Sequence, residues 1–467
     1  MEDKRIAKFE VRNLGIIKHG VFDIKPLTLF CGPNNSGKTW AMYALYGCLD
    51  HFPLGKSLPG VPALIKALTK NGEYKWDMYA WADENYEKII QLIHAAGKRR
   101  LPRIFNIEDE IFKQSAFEWQ ITKEELLKTI KNGQLNFGLT MGKEVEVLHV
   151  VKSQGDVHAQ LTLLKMGWPD LEGIITNRVV QFILGQSPAR RVFLMPAERN
   201  GLHLFFRELR SRRSALLHHA GREEFDLNKL LNDVLKSKYA EPIADYIDWL
   251  NDLRETGKRH SGACQSHADG LIENLIKGKY EVDADGLISF TPKKERGGAQ
   301  HERMSLHLTS SAIKSMFGLW FFLEHQAKPG DILMIDEPEL NLHPSAQRRV
   351  ARILAAVANQ GVHVVVSTHS DYFVREINSL IMLARPHPNK ARLMDEFHYS
   401  DDELLDKEKV AAYLFEDREI KPMEITAEEG IMAATFDSVI HELNQTSDSI
   451  YYAYQEVAES PLEAEQD

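Results

Sequence analysis

Apolar runs and helical stripes alternate along this chain, and together they predict an α/β fold. Leu27-Thr28-Leu29-Phe30-Cys31, Asp331 to Asp336 and Val362 to Ser367 read as strands covered on both faces, because their apolar character is almost continuous. Between the last two, Ser345 to Asn359 carries Val350, Ile353, Leu354 and Val357 on one helical face, and Gly361 supplies a stop. Strand, helix, strand with buried strands is the unit of a parallel sheet. Trp40 to Leu49 predicts a helix after the first of these strands. Ser311 to His325 is apolar on most sides and predicts a buried helix. Ile6 to Val11, Val21 to Ile24, Arg191 to Met195 and Val410 to Phe415 read as further strands.

The intervening stretches read differently. Residues 51–187 are mixed, with a helix over Glu84 to Ala96 and strands over Glu144 to Val151 and Ala159 to Leu164. Residues 200–277 are mostly helical. Leu227, Leu230, Leu231, Val234 and Leu235 form one stripe, and Ile243, Tyr246, Ile247, Leu250 and Leu253 another, either side of Pro242. That predicts a helical hairpin, far too short for a coiled-coil arm. Residues 278–291 return to strand character. Near the end, Ile431 to Leu443 and Ser449 to Val457 read as amphipathic helices, followed by an acidic tail.

Composition narrows the class. The chain has 467 residues, 43% hydrophobic and 27% charged, enough for a sizeable core. A net charge of −10 repels a nucleic-acid backbone unless a basic patch is concentrated locally. Clusters at Lys98-Arg99-Arg100, Arg190-Arg191 and Arg207 to Arg213 read first as solvated helix faces, with a polyanion surface as the alternative. Three cysteines, Cys31, Cys48 and Cys264, make no disulfide framework, and the N-terminus lacks a signal-peptide core. A cytoplasmic location with no membrane association is the expectation. His260, Cys264 and His267 have ligand-like spacing but no evident fourth ligand, so a loop is the expectation there.

The chemistry begins at Gly32-Pro33-Asn34-Asn35-Ser36-Gly37-Lys38-Thr39, between a buried strand and a helix. This is the arrangement of a phosphate-binding loop. Its backbone N–H groups and the helix start favour anions, Lys38 neutralises terminal phosphate oxygens, and Thr39 takes a Mg²⁺ position. The expected ligands are ATP and Mg²⁺. Ile332-Leu333-Met334-Ile335-Asp336-Glu337 delivers two carboxylates to a strand end. There Asp336 holds Mg²⁺ through water and Glu337 polarises the attacking water. Glu337-Pro338-Glu339-Leu340-Asn341-Leu342-His343-Pro344 follows, and Val366-Ser367-Thr368-His369-Ser370 ends the next strand. His369 is thereby placed one strand from Asp336, within reach of the terminal phosphate.

These motifs in this order resemble ABC-type ATPases of the SMC, RecF and OLD kind, and most of all the stand-alone OLD-like group. The resemblance implies an ABC-ATPase head, with a core formed by 1–50, 188–200 and 278–385. It leaves 51–187 as a mixed α/β insertion, 201–277 as a helical insertion and 386–467 as a C-terminal strand and helices. It implies a site that closes when two heads meet, with Ser310 and Ser311 on one head contacting the phosphate held by the other. Ala312 stands where the family has glycine, which implies a looser contact and slow turnover. In the same family the segment matching Pro196-Ala197-Glu198-Arg199 senses Mg²⁺ and water; Glu198 or Arg199 takes that part here, with a loop-stabilising salt bridge as the alternative.

A transporter subunit does not fit, because Lys38 and Ser310 are too far apart and no Leu-Ser-Gly-Gly-Gln signature is present. Little chain follows His369, and no Toprim-like strand precedes Asp401-Asp402-Glu403, so an in-chain nuclease is not expected. The chain instead resembles the ATPase subunits of bacterial anti-phage systems, those of PARIS first and of Septu next. That implies a homo-oligomer acting on a separate nuclease effector, Toprim-like or HNH-type, under a phage-encoded trigger. A DNA-repair ATPase that binds DNA directly is the alternative.

Overall fold

A computed structural model describes residues 7–50, 52, 54–141, 145–165, 170–186, 190–208, 239–253, 264–293, 302–432 and 444–454. The strands along the chain are β1 (Ala7–Leu14), β2 (Ile17–Ile24), β3 (Leu27–Cys31), β4 (Glu73–Asp77), β5 (Ala116–Trp119), β6 (Leu135–Met141), β7 (Val145–Lys152), β8 (His158–Leu163), β9 (Val192–Met195), β10 (Gly278–Val282), β11 (Ile288–Pro292), β12 (Met304–Ser305), β13 (Ile332–Asp336), β14 (His363–Thr368), β15 (Val410–Glu416), β16 (Glu419–Pro422), β17 (Ile425–Thr426) and β18 (Gly430–Ile431). Nine of them form one mixed sheet in the order β5-β1-β2-β16-β15-β3-β14-β13-β9. The fold is α/β, as the pattern predicts.

The centre of this sheet is parallel: β15, β14 and β3 run together, and β13 lies between β14 and β9 in the same sense. Register brings Thr368 opposite Cys31 and Ser367 opposite Asp336, so the C-terminal ends of β3, β14 and β13 lie level. Alternate residues feed two cores. Phe30, Ile332, Met334 and Val365 join one, packed with the helices Lys38–Asp50 and Met78–Phe105. Leu29, Leu333, Ile335 and Val366 join the other, packed with Ser311–His325, Pro344–Asn359 and Asp371–Leu383. Burial on both faces explains the unbroken apolar runs.

A second, antiparallel sheet has the order β4-β8-β7-β6, and a third is β10-β11-β12. The helix expected at Glu84 to Ala96 is the middle of the much longer Met78–Phe105, with Ile89 and Ile93 buried. β5 joins the main sheet beside β1, and β15 sits beside β3. Part of the expected hairpin, Leu227 to Leu235, lies outside the described residues; the second stripe is the helix Glu241–Asn251.

The helix expected to begin at Ile431 does not begin there. Ile431 is buried in β18, and the Asn378 side chain holds it extended, accepting from its N–H at 2.8 Å and donating to its carbonyl at 3.1 Å. Residues 444–454 are helical and exposed throughout. Among the described residues no helix is long and apolar enough to cross a membrane.

The second core rests on aromatic packing. Phe322, fully buried, stacks on Phe193 of β9 with centroids 5.0 Å apart and rings within 2° of parallel, and Trp249 closes on Phe193 at 4.9 Å. Phe322→Ala leaves a cavity there and is expected to cost about 3–5 kcal/mol. Denaturant unfolding measures this; a loss below about 1 kcal/mol would mean that the stack collapses freely around the gap.

Candidate functional site

The level strand ends carry the site. After β3 the chain turns through Gly32 at φ 142° and Gly37 at φ 101°. A Cβ on Gly32 would sit 2.5 Å from the Phe415 carbonyl oxygen of β15, and one on Gly37 would sit 2.7 Å from Ile17. Neither position admits a side chain, so the loop is drawn tightly against the sheet. Its crest, Pro33, Asn34 and Asn35, is exposed, with Asn35 left-handed at φ 59°. The Ser36 hydroxyl oxygen is buried without a hydrogen-bond partner. A tight cradle with an unpaired hydroxyl fits a ligand that brings acceptor oxygens.

Lys38 opens the loop helix and is nearly buried. Its Nζ donates to the carbonyls of Gly32 at 2.9 Å and Pro33 at 2.7 Å. Burial pushes its pKa down, while Asp336 and Glu337 oppose the shift. Behind the loop, burial pushes the Cys31 thiol up to about 12, which leaves it inert.

Thr39 and Asp336 meet across the sheet: the threonine hydroxyl donates to Asp336 Oδ2 at 2.9 Å. The other carboxylate oxygen accepts from the Ser367 hydroxyl. Asp336 is almost wholly buried, and these two hydroxyls satisfy its carboxylate oxygens. A hydroxyl and a carboxylate converging on one exposed edge, with few other ligands, match what Mg²⁺ takes from proteins.

Glu337 follows in the left-handed region at φ 52°. Its N–H bonds to the Ser367 carbonyl at 3.1 Å and hydroxyl at 3.2 Å. Burial, then the Asp336 charge, push its carboxyl above the ordinary range, with His369 pulling the other way. His369 is half exposed. Its Nδ1 lies 3.7 Å from Glu337 Oε1 and 3.4 Å from Glu339 Oε1. Glu339 is buried and accepts from the Thr368 hydroxyl at 2.7 Å and the His369 N–H at 2.9 Å; its second oxygen is unpaired.

Residues 185–374 match the model of the AAA ATPase domain family. That stretch includes Asp336, Glu337 and His369 but stops short of the loop at 32–39. The match supports an ATPase domain; it does not bear on a nuclease partner or a phage trigger. Among solved structures, the chain is similar to an Smc head domain with an extended coiled coil bound to the C-terminal domain of ScpA, from Pyrococcus furiosus, at a TM-score of 0.35 and 14% identity over 94% of this chain and 99% of that one. It is also similar to the SMC head domain from Thermotoga maritima, at a TM-score of 0.33 and 11% identity over 90% of this chain and 98% of that one. No curated protein matches.

The structure therefore gathers Gly32 to Thr39, Asp336, Glu337 and His369 at one edge. It leaves Ser310 and Ser311 exposed at the start of their own helix, where the Ser310 hydroxyl accepts from the Ile313 N–H at 3.3 Å. Ser367 and Glu339 lie inside motifs visible in the sequence, yet their partners do not show there. Glu198 is exposed, whereas Arg199 is fully buried and donates to backbone carbonyls, so its hydrogen bonds are not those of the salt bridge expected as the alternative.

Of the basic clusters, Lys98-Arg99-Arg100 is partly tied into the fold, with Lys98 and Arg99 still exposed. Lys98 donates to the Lys113 carbonyl, Arg99 to that of Leu54, and buried Arg100 pairs with Glu241 at 3.0 Å. Arg210, Arg212 and Arg213 lie outside the described residues, as does His260. Among the described residues no group of three His, Cys, Asp or Glu could hold a metal.

The folded protein binds the Glu337 proton more tightly than the unfolded chain does, so this group lowers stability as pH rises from its ordinary 4.5 through the raised value. The Glu337 carboxyl is expected to titrate above 4.5, and Asp336→Asn is expected to bring it back down. Carbon NMR of the labelled side chain measures both; an unmoved value in the variant would remove Asp336 as a cause of the shift.

Proposed function

We propose that this chain is an ATP-hydrolysing ABC-type ATPase whose heads assemble around nucleotide. The Thr39–Asp336 hydrogen bond carries the reading, because it joins a phosphate loop to a strand-end carboxylate flanked by a second acid. Gly32, Asn34, Asn35, Ser36 and Gly37 wrap the phosphates and Lys38 moves from its loop carbonyls to their oxygens. Thr39 and Asp336 hold Mg²⁺, which neutralises charge on the phosphates when bound. Glu337, a stronger base than an ordinary carboxylate, takes the proton of the attacking water as the terminal P–O bond to the ADP oxygen breaks. His369 lies beside that acid, placed to orient the water or the transferred phosphoryl group.

Ser310 and Ser311 lie at an exposed helix start, available to a second copy. Assembly then depends on nucleotide, and Ala312 in place of glycine sets a slow turnover. By motif resemblance, the assembly is a sensor and scaffold that holds a separate nuclease inactive until a phage product alters it. PARIS is the system it resembles most.

Lys38→Ala is expected to weaken ATP binding by about 10- to 100-fold, the loss of charged hydrogen bonds worth roughly 1.5–3 kcal/mol. Calorimetry with unchanged affinity would remove the loop from the site. Glu337→Gln is expected to bind ATP normally while turnover falls about 10²–10⁴-fold; a wild-type rate means another base. Coexpression with the product of the neighbouring gene tests the partner. Copurification supports a scaffold, and a chain that stays single yet binds DNA with steep salt dependence supports repair.

A further inference from the structure

Arg199 begins the helical turn after β9 and is fully buried. Its guanidinium reaches three separate elements. Nη1 donates to the Pro196 carbonyl at 3.1 Å, beyond the end of β9, and to the Asp336 carbonyl at 2.8 Å. Nη2 donates to the Glu337 carbonyl at 2.7 Å. Nε donates to the Ser315 carbonyl at 3.3 Å, in the helix that begins with Ser311. Burial depresses its pKa, and the nearby charges of Asp336, Glu339 and Glu337 resist that shift.

Two consequences follow from these partners. Glu337 sits in the left-handed region, and its backbone is gripped on both sides, by Ser367 at the N–H and by Arg199 at the carbonyl. The same guanidinium continues into the helix that carries the exposed serines. Around it, Ser315 donates to the Ala312 carbonyl at 3.1 Å, and Asn200 donates to the Ser311 carbonyl at 3.4 Å. One planar fork thus ties the acid of the nucleotide edge to the helix start that faces outward.

We infer that Arg199 is a positioning residue that fixes the Glu337 turn and makes it move as one body with the Ser310–Ser311 helix start, so that nucleotide occupancy is transmitted to the assembly face. The inference rests on the ATPase reading above.

The test uses the full chain, Arg199→Lys, and ATP. Lysine keeps the charge but cannot span the carbonyls of three elements at once. The variant is expected to bind ATP within a few-fold of wild type, because the loop is untouched. Its kcat is expected to fall about 10²-fold with KM little changed, the size expected when a reacting group is misplaced by about 1 Å. A folded Arg199→Lys protein with wild-type kcat overturns the inference, as does a loss confined to KM.

Hydrogen exchange supplies a readout that needs no turnover. At a protein concentration too low for association, ATP is expected to protect 311–316 and 336–337 together with the loop at 32–39 in the wild type. In Arg199→Lys only the loop gains protection. Wild-type protection confined to 32–39 overturns the coupling even if the variant fails to fold. Failure of the ATPase reading looks different, because then ATP protects nothing, the loop included.

Discussion

The Asp336 carboxylate, held between the hydroxyls of Thr39 and Ser367, is the interaction on which the site depends. It connects the loop helix, β13 and β14, and it exists because three strand ends are level. A one-residue slip of β13 against β14 would take Ser367 away from Asp336 and turn Ile335 and Met334 to the wrong cores. Burial of both faces fixes that register, so the packing of the sheet sets the geometry of the edge. The chemistry is therefore a consequence of the same apolar alternation that builds the two cores.

That link explains what could be read in the residues beforehand. The loop strand, β13, β14 and the helix between them are legible because each is a strong local pattern with its own stop signal. The strand β15 is visible, but not its place beside β3, since Val410 and Leu27 are joined by no local signal. Ile431 reads as the start of a helix because its apolar neighbours suit one; a distant asparagine amide, invisible in a local window, overrides them. At the site, Asp336, Glu337 and His369 announce themselves by position. Arg199 is marked only by the resemblance of its motif, and its bonds do not show in the residues, because its partners are carbonyls, and any residue supplies a carbonyl.

Glu337 illustrates how the edge stores and offsets strain. A bulky residue in the left-handed region costs on the order of 1–3 kcal/mol. The charged hydrogen bond from Arg199 is worth about 1.5–3 kcal/mol, and those from its own N–H to Ser367 add to it. The terms are comparable, so the turn is held by its surroundings rather than by its own preference. It has no freedom to relax unless one of those partners moves. This is the property a general base needs, since an acid free to rotate spends most of its time misaligned.

Burying a guanidinium costs several kcal/mol before any bond is counted, and a well-packed apolar group can often do as well for stability alone. The carbonyls at this edge change that balance. Asp336 is the last residue of β13 paired with β14, and at the left-handed turn that follows it the carbonyl oxygens of Asp336 and Glu337 both meet the Arg199 guanidinium. Each one left unpaired costs roughly 1–3 kcal/mol. Arginine is the side chain that offers five donors in one rigid plane, enough to satisfy both and still reach the Ser315 carbonyl. The demand for donors at the strained turn thus selects the residue, and the reach of that residue joins the turn to the helix of Ser310 and Ser311. Any force that shifts one of them must either drag the other or break a buried, charged hydrogen bond.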